Sequence, residues 1–82
     1  MATSGRLLCE ATLLPLEATN SDEIINDGIK TLALYEVSYE VGPISTTVKG
    51  EPDQVWGALR GMYERAAHQG REVMLVVKIT NG

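Results

Sequence analysis

The sequence predicts an α+β fold, a four-stranded antiparallel sheet with two helices on one face, laid out along the chain as β-α-β-β-α-β. Three observations predict it. Apolar residues alternate with a period of two in four stretches, and they recur with a period near 3.6 in two others. The order of these stretches repeats, so the 82 residues read as two β-α-β halves that meet in a central hairpin.

In the first stretch, RLLCEATLLPL, Leu7, Cys9, Ala11 and Leu13 alternate with Leu8, Glu10, Thr12 and Leu14, and Pro15 is expected to end the strand. Asn20 stands where a helix cap belongs, with Glu23 three residues on as its capping-box partner. Helix one then carries Ile25, Ile29, Leu32 and Ala33 on one stripe with Ile24 beside it. Gly28 costs such a helix about 1 kcal/mol relative to alanine, so the helix needs tertiary support. Strand two places Val37, Tyr39 and Val41 opposite Glu36, Ser38 and Glu40, and Gly42-Pro43 marks a reversal.

Strand three is expected from Ile44, with Ile44, Thr46 and Val48 toward the helices and Ser45, Thr47 and Lys49 on the other face. Gly50-Glu51-Pro52-Asp53 interrupts it and opens helix two, since proline is tolerated in a first turn and acids there suit the positive end of the helix dipole. Val55, Leu59, Met62 and Ala66 form the buried stripe, widened by Trp56, Tyr63 and Ala67. Gly57 and Gly61 fall on the polar side with Glu64 and His68, where they either admit another chain closely or simply weaken the helix. Gly70 closes that helix, and the last strand sets Val73, Leu75, Val77 and Ile79 on one face.

Assembled, these elements give the ferredoxin-like sandwich with strand order 4-1-3-2 and both helices on the same side. The other face stays bare. It carries Leu8, Leu14, Met74 and Val76 together with polar Glu10, Thr12, Thr47, Lys49 and Lys78. A monomer rarely exposes such a patch, and strand four is also an unprotected edge. A homodimer or homotetramer through sheet faces and edge strands is therefore expected.

A chain this short is read as a single domain, 1–82, which buries only about 60% of its unfolded surface. Seven Lys and Arg against eleven Asp and Glu give a net charge of -4. That is the opposite of what a phosphate backbone or an anionic membrane selects, so no nucleic acid and no membrane are expected as partners. Cys9 is the single cysteine, and no partner lies at metal-ligand spacing. A buried, inert thiol in a cytoplasmic protein is the expectation, with no secretory signal read at the start of the chain.

The run Tyr39-Glu40-Val41-Gly42-Pro43-Ile44-Ser45-Thr46, then Gly50-Glu51, the helix through Val55, and Gly70 followed by VVKIT resemble the thiamine-binding protein family. Glu10 and Pro15-Leu16 match its opening pattern. The resemblance implies non-catalytic binding of thiamine or its hydroxymethylpyrimidine moiety, no further cofactor, and assembly into dimers or tetramers. It departs at one point: Ser45 stands before Thr46 where the family usually has glycine, and a side chain there narrows a pocket.

Four residues are candidates for the ligand site: Glu10, Ser45, Thr46 and Thr47. An acid in an otherwise apolar strand needs a partner if buried. For Glu10 that partner is either a cationic ligand or Lys49 or Lys78 across a subunit interface. The three hydroxyls both donate and accept, which suits a ring with both kinds of nitrogen, yet strict alternation puts Thr46 on one face and Ser45 and Thr47 on the other. Tyr39 and Trp56 have the shape to stack on such a ring, but both lie on core stripes and are expected to pack inside. The alternative function is a structural or regulatory homo-oligomer without a small molecule.

Overall fold

The computed structural model describes residues 6–82. It contains β1 (Leu7–Leu16), α1 (Ser21–Lys30), a 3-10 turn (Thr31–Leu34), β2 (Val37–Val41), β3 (Thr46–Gly50), α2 (Pro52–Gln69) and β4 (Glu72–Thr80). The sheet runs β2-β3-β1-β4 with every neighbour antiparallel, the ferredoxin-like order that the sequence predicts. The molecule measures 17 Å along its shortest axis. A further layer would add about 10 Å, so one sheet face is covered by helices and the other is open.

Alternation in β1 holds. Cys9, Ala11 and Leu13 are buried toward the helices, and Leu8, Glu10 and Leu14 are exposed on the open face. Pro15 does not end the strand: β1 continues to Leu16, with Pro15 opposite Val73 and Leu16 opposite Glu72. β3 accompanies β1 only from Leu7 to Ala11. Beyond that point β1 has a strand on one side alone, and proline is tolerated on an edge because no ladder bond is owed there.

α2 follows the sequence reading closely. Val55, Leu59, Met62 and Ala66 are buried, as is Ala58. Pro52 starts the helix, Asp53 lies in its first turn, and the Val55 N–H donates to the Glu51 carbonyl at 2.9 Å. Trp56 and Tyr63, expected to widen the buried stripe, are 55% and 39% exposed instead. The space beside Gly57 and Gly61 is taken by Tyr35 of the same chain. A Cβ on Gly61 would lie 2.7 Å from the Tyr35 hydroxyl, and one on Gly57 3.1 Å from its ring.

The covered face of α1 overlaps the expected one but is centred on a neighbouring line. Its buried line is Ile24 and Gly28, continued by Leu32 in the 3-10 turn, while Ile25 and Ile29 are partly buried and Ala33 is exposed. The reason is Gly28. A Cβ there would lie 2.8 Å from Leu13 Cδ1 and 3.2 Å from the Met62 carbonyl oxygen, so the missing side chain lets α1 press against α2 and β1. Asn20 precedes the helix without a side-chain capping bond, although its carbonyl accepts from the Ile24 N–H at 3.1 Å. Glu17, in the loop before the helix, has φ of 54°, a left-handed conformation that costs a non-glycine residue about 1 kcal/mol or more.

Two further expectations fail at the edge. Tyr39 is on the helix-facing side of β2, opposite Val48, but β2 is the outermost strand and the helices cover it only lightly, leaving Tyr39 40% exposed. Ile44 is not in β3 at all. It sits at the hairpin tip, 85% exposed, because Gly42 to Ser45 form the turn and the ladder closes at Val41 opposite Thr46.

Candidate functional site

The early end of β3 creates a recess on the helix side of the sheet. Where β3 stops at Thr46, β1 runs on through Thr12 and Leu13 without a strand beside it, and the 42–45 turn swings away from the sheet. The gap is roofed by α1. Its volume is about 190 Å³, between the Thr12 segment, the turn, and Ile25, Asn26 and Ile29 of α1, with Met62 beneath.

The turn fixes the recess from the other side. The Gly42 N–H donates to the Ser45 carbonyl at 2.9 Å, which holds Pro43 and Ile44 at the tip and turns Ser45 out of the strand. Strict alternation would have put Ser45 and Thr46 on opposite faces; leaving the ladder lets both border the same space. Thr46 is 5% exposed and Ser45 half-buried. Polar groups in the lining are the hydroxyls of Thr12, Ser45 and Thr46 and the carboxamide of Asn26, all neutral, set among aliphatic walls such as Ile25, Ile29 and Val41. No aromatic side chain borders it.

The remaining two candidates lie on the open face. Glu10 is exposed, opposite Thr47 on β3 and Lys78 on β4 in the strand register. It is not a buried acid in this chain. Among the described residues the one ion pair within 4 Å is Arg60 with Glu64 on the surface of α2, so Glu10 has no cationic partner at that range. Glu10 and Thr47 share one shallow hollow with Lys78. A second hollow, of about 220 Å³, contains Glu10, Thr12, Ile44, Ser45 and Lys78. Thr12, Ile44 and Ser45 thus border both the helix-side recess and the open-face hollow, where the sheet thins to β1 and β4 alone.

Tyr39 and Trp56 are outside the recess. Tyr39 stands on the outermost strand, and Trp56 lies at the far end of the sheet with Leu7, Pro52 and Ile79. Asn26 is the lining residue that sequence reasoning missed. On helix one it reads as an ordinary exposed polar position, and only the placement of the hairpin turn opposite it gives it a role. Cys9 is buried, and burial pushes its thiol up from the ordinary value of 9.0, partly offset by a main-chain hydrogen bond to Val48. Among the described residues no cluster of three His, Cys, Asp or Glu side chains is disposed to hold a metal ion. No described helix is long and apolar enough to cross a membrane.

Comparison with known proteins bears on the same region. A family model described as thiamine-binding protein matches residues 9–81, which takes in both the recess and the open face. No curated protein matches the chain in sequence. Among solved structures, a Streptococcus pneumoniae protein is 28% identical, with a TM-score of 0.86 over 94% of this chain and 87% of its own. A Bacillus cereus domain of unknown function is 22% identical, with a TM-score of 0.82 over 93% of this chain and 75% of its own. A Thermotoga maritima protein whose description names thiamine biosynthesis or salvage is 20% identical, with a TM-score of 0.80 over 94% and 84%. At those identities the last two speak for the fold.

Proposed function

We propose a function for this chain on the ground that it belongs to the thiamine-binding protein family: it binds thiamine, or the hydroxymethylpyrimidine moiety of thiamine, without transforming it. The observation that carries this reading is the neutral, hydroxyl-lined recess under the β2–β3 turn, with Thr46 in its wall and Ser45 at its rim. The description of the Thermotoga maritima neighbour points the same way. At about 190 Å³ the recess is smaller than the ~300–1,000 Å³ of a site for a drug-sized molecule. It suits one ring. A lining without a charged side chain suits the neutral pyrimidine, and a lining without a titratable group offers nothing to move a proton in catalysis.

The cationic ring of thiamine then lies outside, and the border shared by Thr12 and Ser45 leads to the open-face hollow of Glu10. There the carboxylate meets the positive charge, with the Thr47 hydroxyl beside it. Leu8, Leu14, Met74 and Val76, each exposed on the same face, make a patch that a second copy covers in a homodimer or homotetramer. Covering it removes Glu10 from bulk water and strengthens its attraction to a cation. The unpaired Cys9 fits a reducing, cytoplasmic setting.

The apolar patch alone also favours the second reading, a structural or regulatory homo-oligomer without a small molecule. Calorimetry with thiamine and with hydroxymethylpyrimidine separates the two, run beside sedimentation equilibrium at micromolar concentration. Saturable binding of both ligands to a dimer or tetramer is expected. Thr46→Val lowers both affinities at least tenfold, about 1.4 kcal/mol, and Glu10→Gln lowers that for thiamine while sparing the neutral ring. Flat traces for both ligands at millimolar concentration leave the structural oligomer. If Glu10→Gln dissociates the assembly with affinity unchanged, Glu10 is an interface residue.

A further inference from the structure

We infer that Asn26 is the residue that chooses the ligand, and that it selects a six-membered nitrogen heterocycle carrying an amine next to a ring nitrogen. This deepens the binding reading above and rests on it. Among the described residues bordering the recess, Asn26 alone offers a side-chain amide, with a donor and an acceptor held side by side on one plane. It lies in the middle of α1, partly buried, and its side chain makes no hydrogen bond to another described residue. Its neighbours on the helix that border the same space, Ile25 and Ile29, are aliphatic. An asparagine there is also a poorer helix former than alanine or leucine.

The hydroxyls opposite cannot do the same work. Those of Thr12, Ser45 and Thr46 rotate to donate or accept as the ligand requires, so each satisfies an atom without specifying which atom it is. A carboxamide specifies a pair. A ring nitrogen that accepts, beside an exocyclic amine that donates, is matched by the amide in two parallel hydrogen bonds, the geometry by which asparagine reads the edge of adenine. The aliphatic walls around Asn26 supply ring contact without competing for those bonds. Sites built to hydrogen-bond a particular edge reject ligands lacking it, because the site's polar groups are then left unpaired.

The test uses the whole chain, hydroxymethylpyrimidine as probe, and two variants. Asn26→Leu removes both bonds at a partly buried position; affinity should fall at least tenfold while the melting temperature of the free protein holds. Asn26→Asp replaces the donor with a second acceptor. A neutral ring then faces one mismatched lone pair, whereas a ring protonated on its nitrogen offers two donors. Wild-type affinity should fall on acidification and that of Asn26→Asp should rise, an inversion that a merely structural role for Asn26 does not produce. If Asn26→Leu keeps its affinity while Thr46→Val loses it, the ring site stands and the assignment of Asn26 is overturned. If the two proteins share one pH dependence, the assignment is likewise overturned. If the unaltered protein fails to bind the probe at millimolar concentration, the binding reading itself falls.

Discussion

The two β-α-β halves follow one plan and differ in their helices. α2 is 18 residues long and buries Val55, Ala58, Leu59, Met62 and Ala66. α1 has 10 residues, buries Ile24 and Gly28, and gives way to a 3-10 turn. The long helix seals the sheet beneath it, whereas the short one roofs the recess at the end of β3. The recess arises here from unequal cover by the two helices, and its polar lining of Thr12, Asn26, Ser45 and Thr46 gathers beside the shorter one.

Truncation tests the contrast most severely. Leu59→Ala on α2 removes a side chain that is 4% exposed and should cost about 3 kcal/mol, a large share of the ~5–15 kcal/mol that holds a domain together. Ile29→Ala on α1 removes a partly buried one bordering the recess and should cost about 1 kcal/mol, having less contact to lose. Urea denaturation of both variants measures the difference; equal losses would mean that α1 seals the sheet as fully as α2.

Gly61→Ala probes how the 3-10 turn after α1 is fastened to α2. The new methyl meets the Tyr35 hydroxyl at 2.7 Å and Thr31 Cγ2 at 3.1 Å. Overpacking costs about 1–3 kcal/mol and alanine returns about 1 kcal/mol of helix propensity, so a net loss of about 1 kcal/mol is expected. Tyr35→Phe in the same chain removes the atom in closest conflict and should restore part of that loss. A double-mutant cycle with no coupling would place Tyr35 elsewhere.

The smallest effect concerns Cys9, at the centre of the sheet that both helices cover. Its thiol is pushed up by burial, so the folded chain keeps the proton where the unfolded chain gives it up. Stability from this group is therefore complete below the unfolded value of 9.0 and declines as pH rises past it. Melting temperatures on either side of that pH should fall more for the unaltered protein than for Cys9→Ala. The two proteins differ only at this position, so the difference between them isolates the thiol.

The sequence was informative where burial is one-sided. The alternation of Cys9, Ala11 and Leu13 and the spacing of Val55, Leu59, Met62 and Ala66 report the covered face directly. It was uninformative where an element stops. Pro15 read as a terminator because the sequence does not say that β3 leaves β1 at Ala11. Ile44 read as a strand residue because the turn is longer than Gly42-Pro43. Gly28 read as lost helix propensity, and Gly57 and Gly61 as that or as room for another chain, because their contacts, Leu13, Met62 and Tyr35, come from other elements. The same limit divided the candidate site. Thr46 and Ser45 meet only because Ser45 has left the strand, and Asn26 has no periodic signal to distinguish it from any exposed asparagine.

The longest ladder in the sheet joins the strands most distant in sequence. Leu8 pairs with Thr80, 72 residues away, so during synthesis β1 waits while the intervening residues are made. β3 reaches only as far as Ala11, which leaves the second half of β1 without a partner until β4 leaves the ribosome. Closing so large a loop is entropically expensive before its contacts reward it. Folding of this sheet is accordingly a cooperative event that waits for β4, and the nascent chain holds an apolar, unpaired β1 segment in view of chaperones until that strand is made.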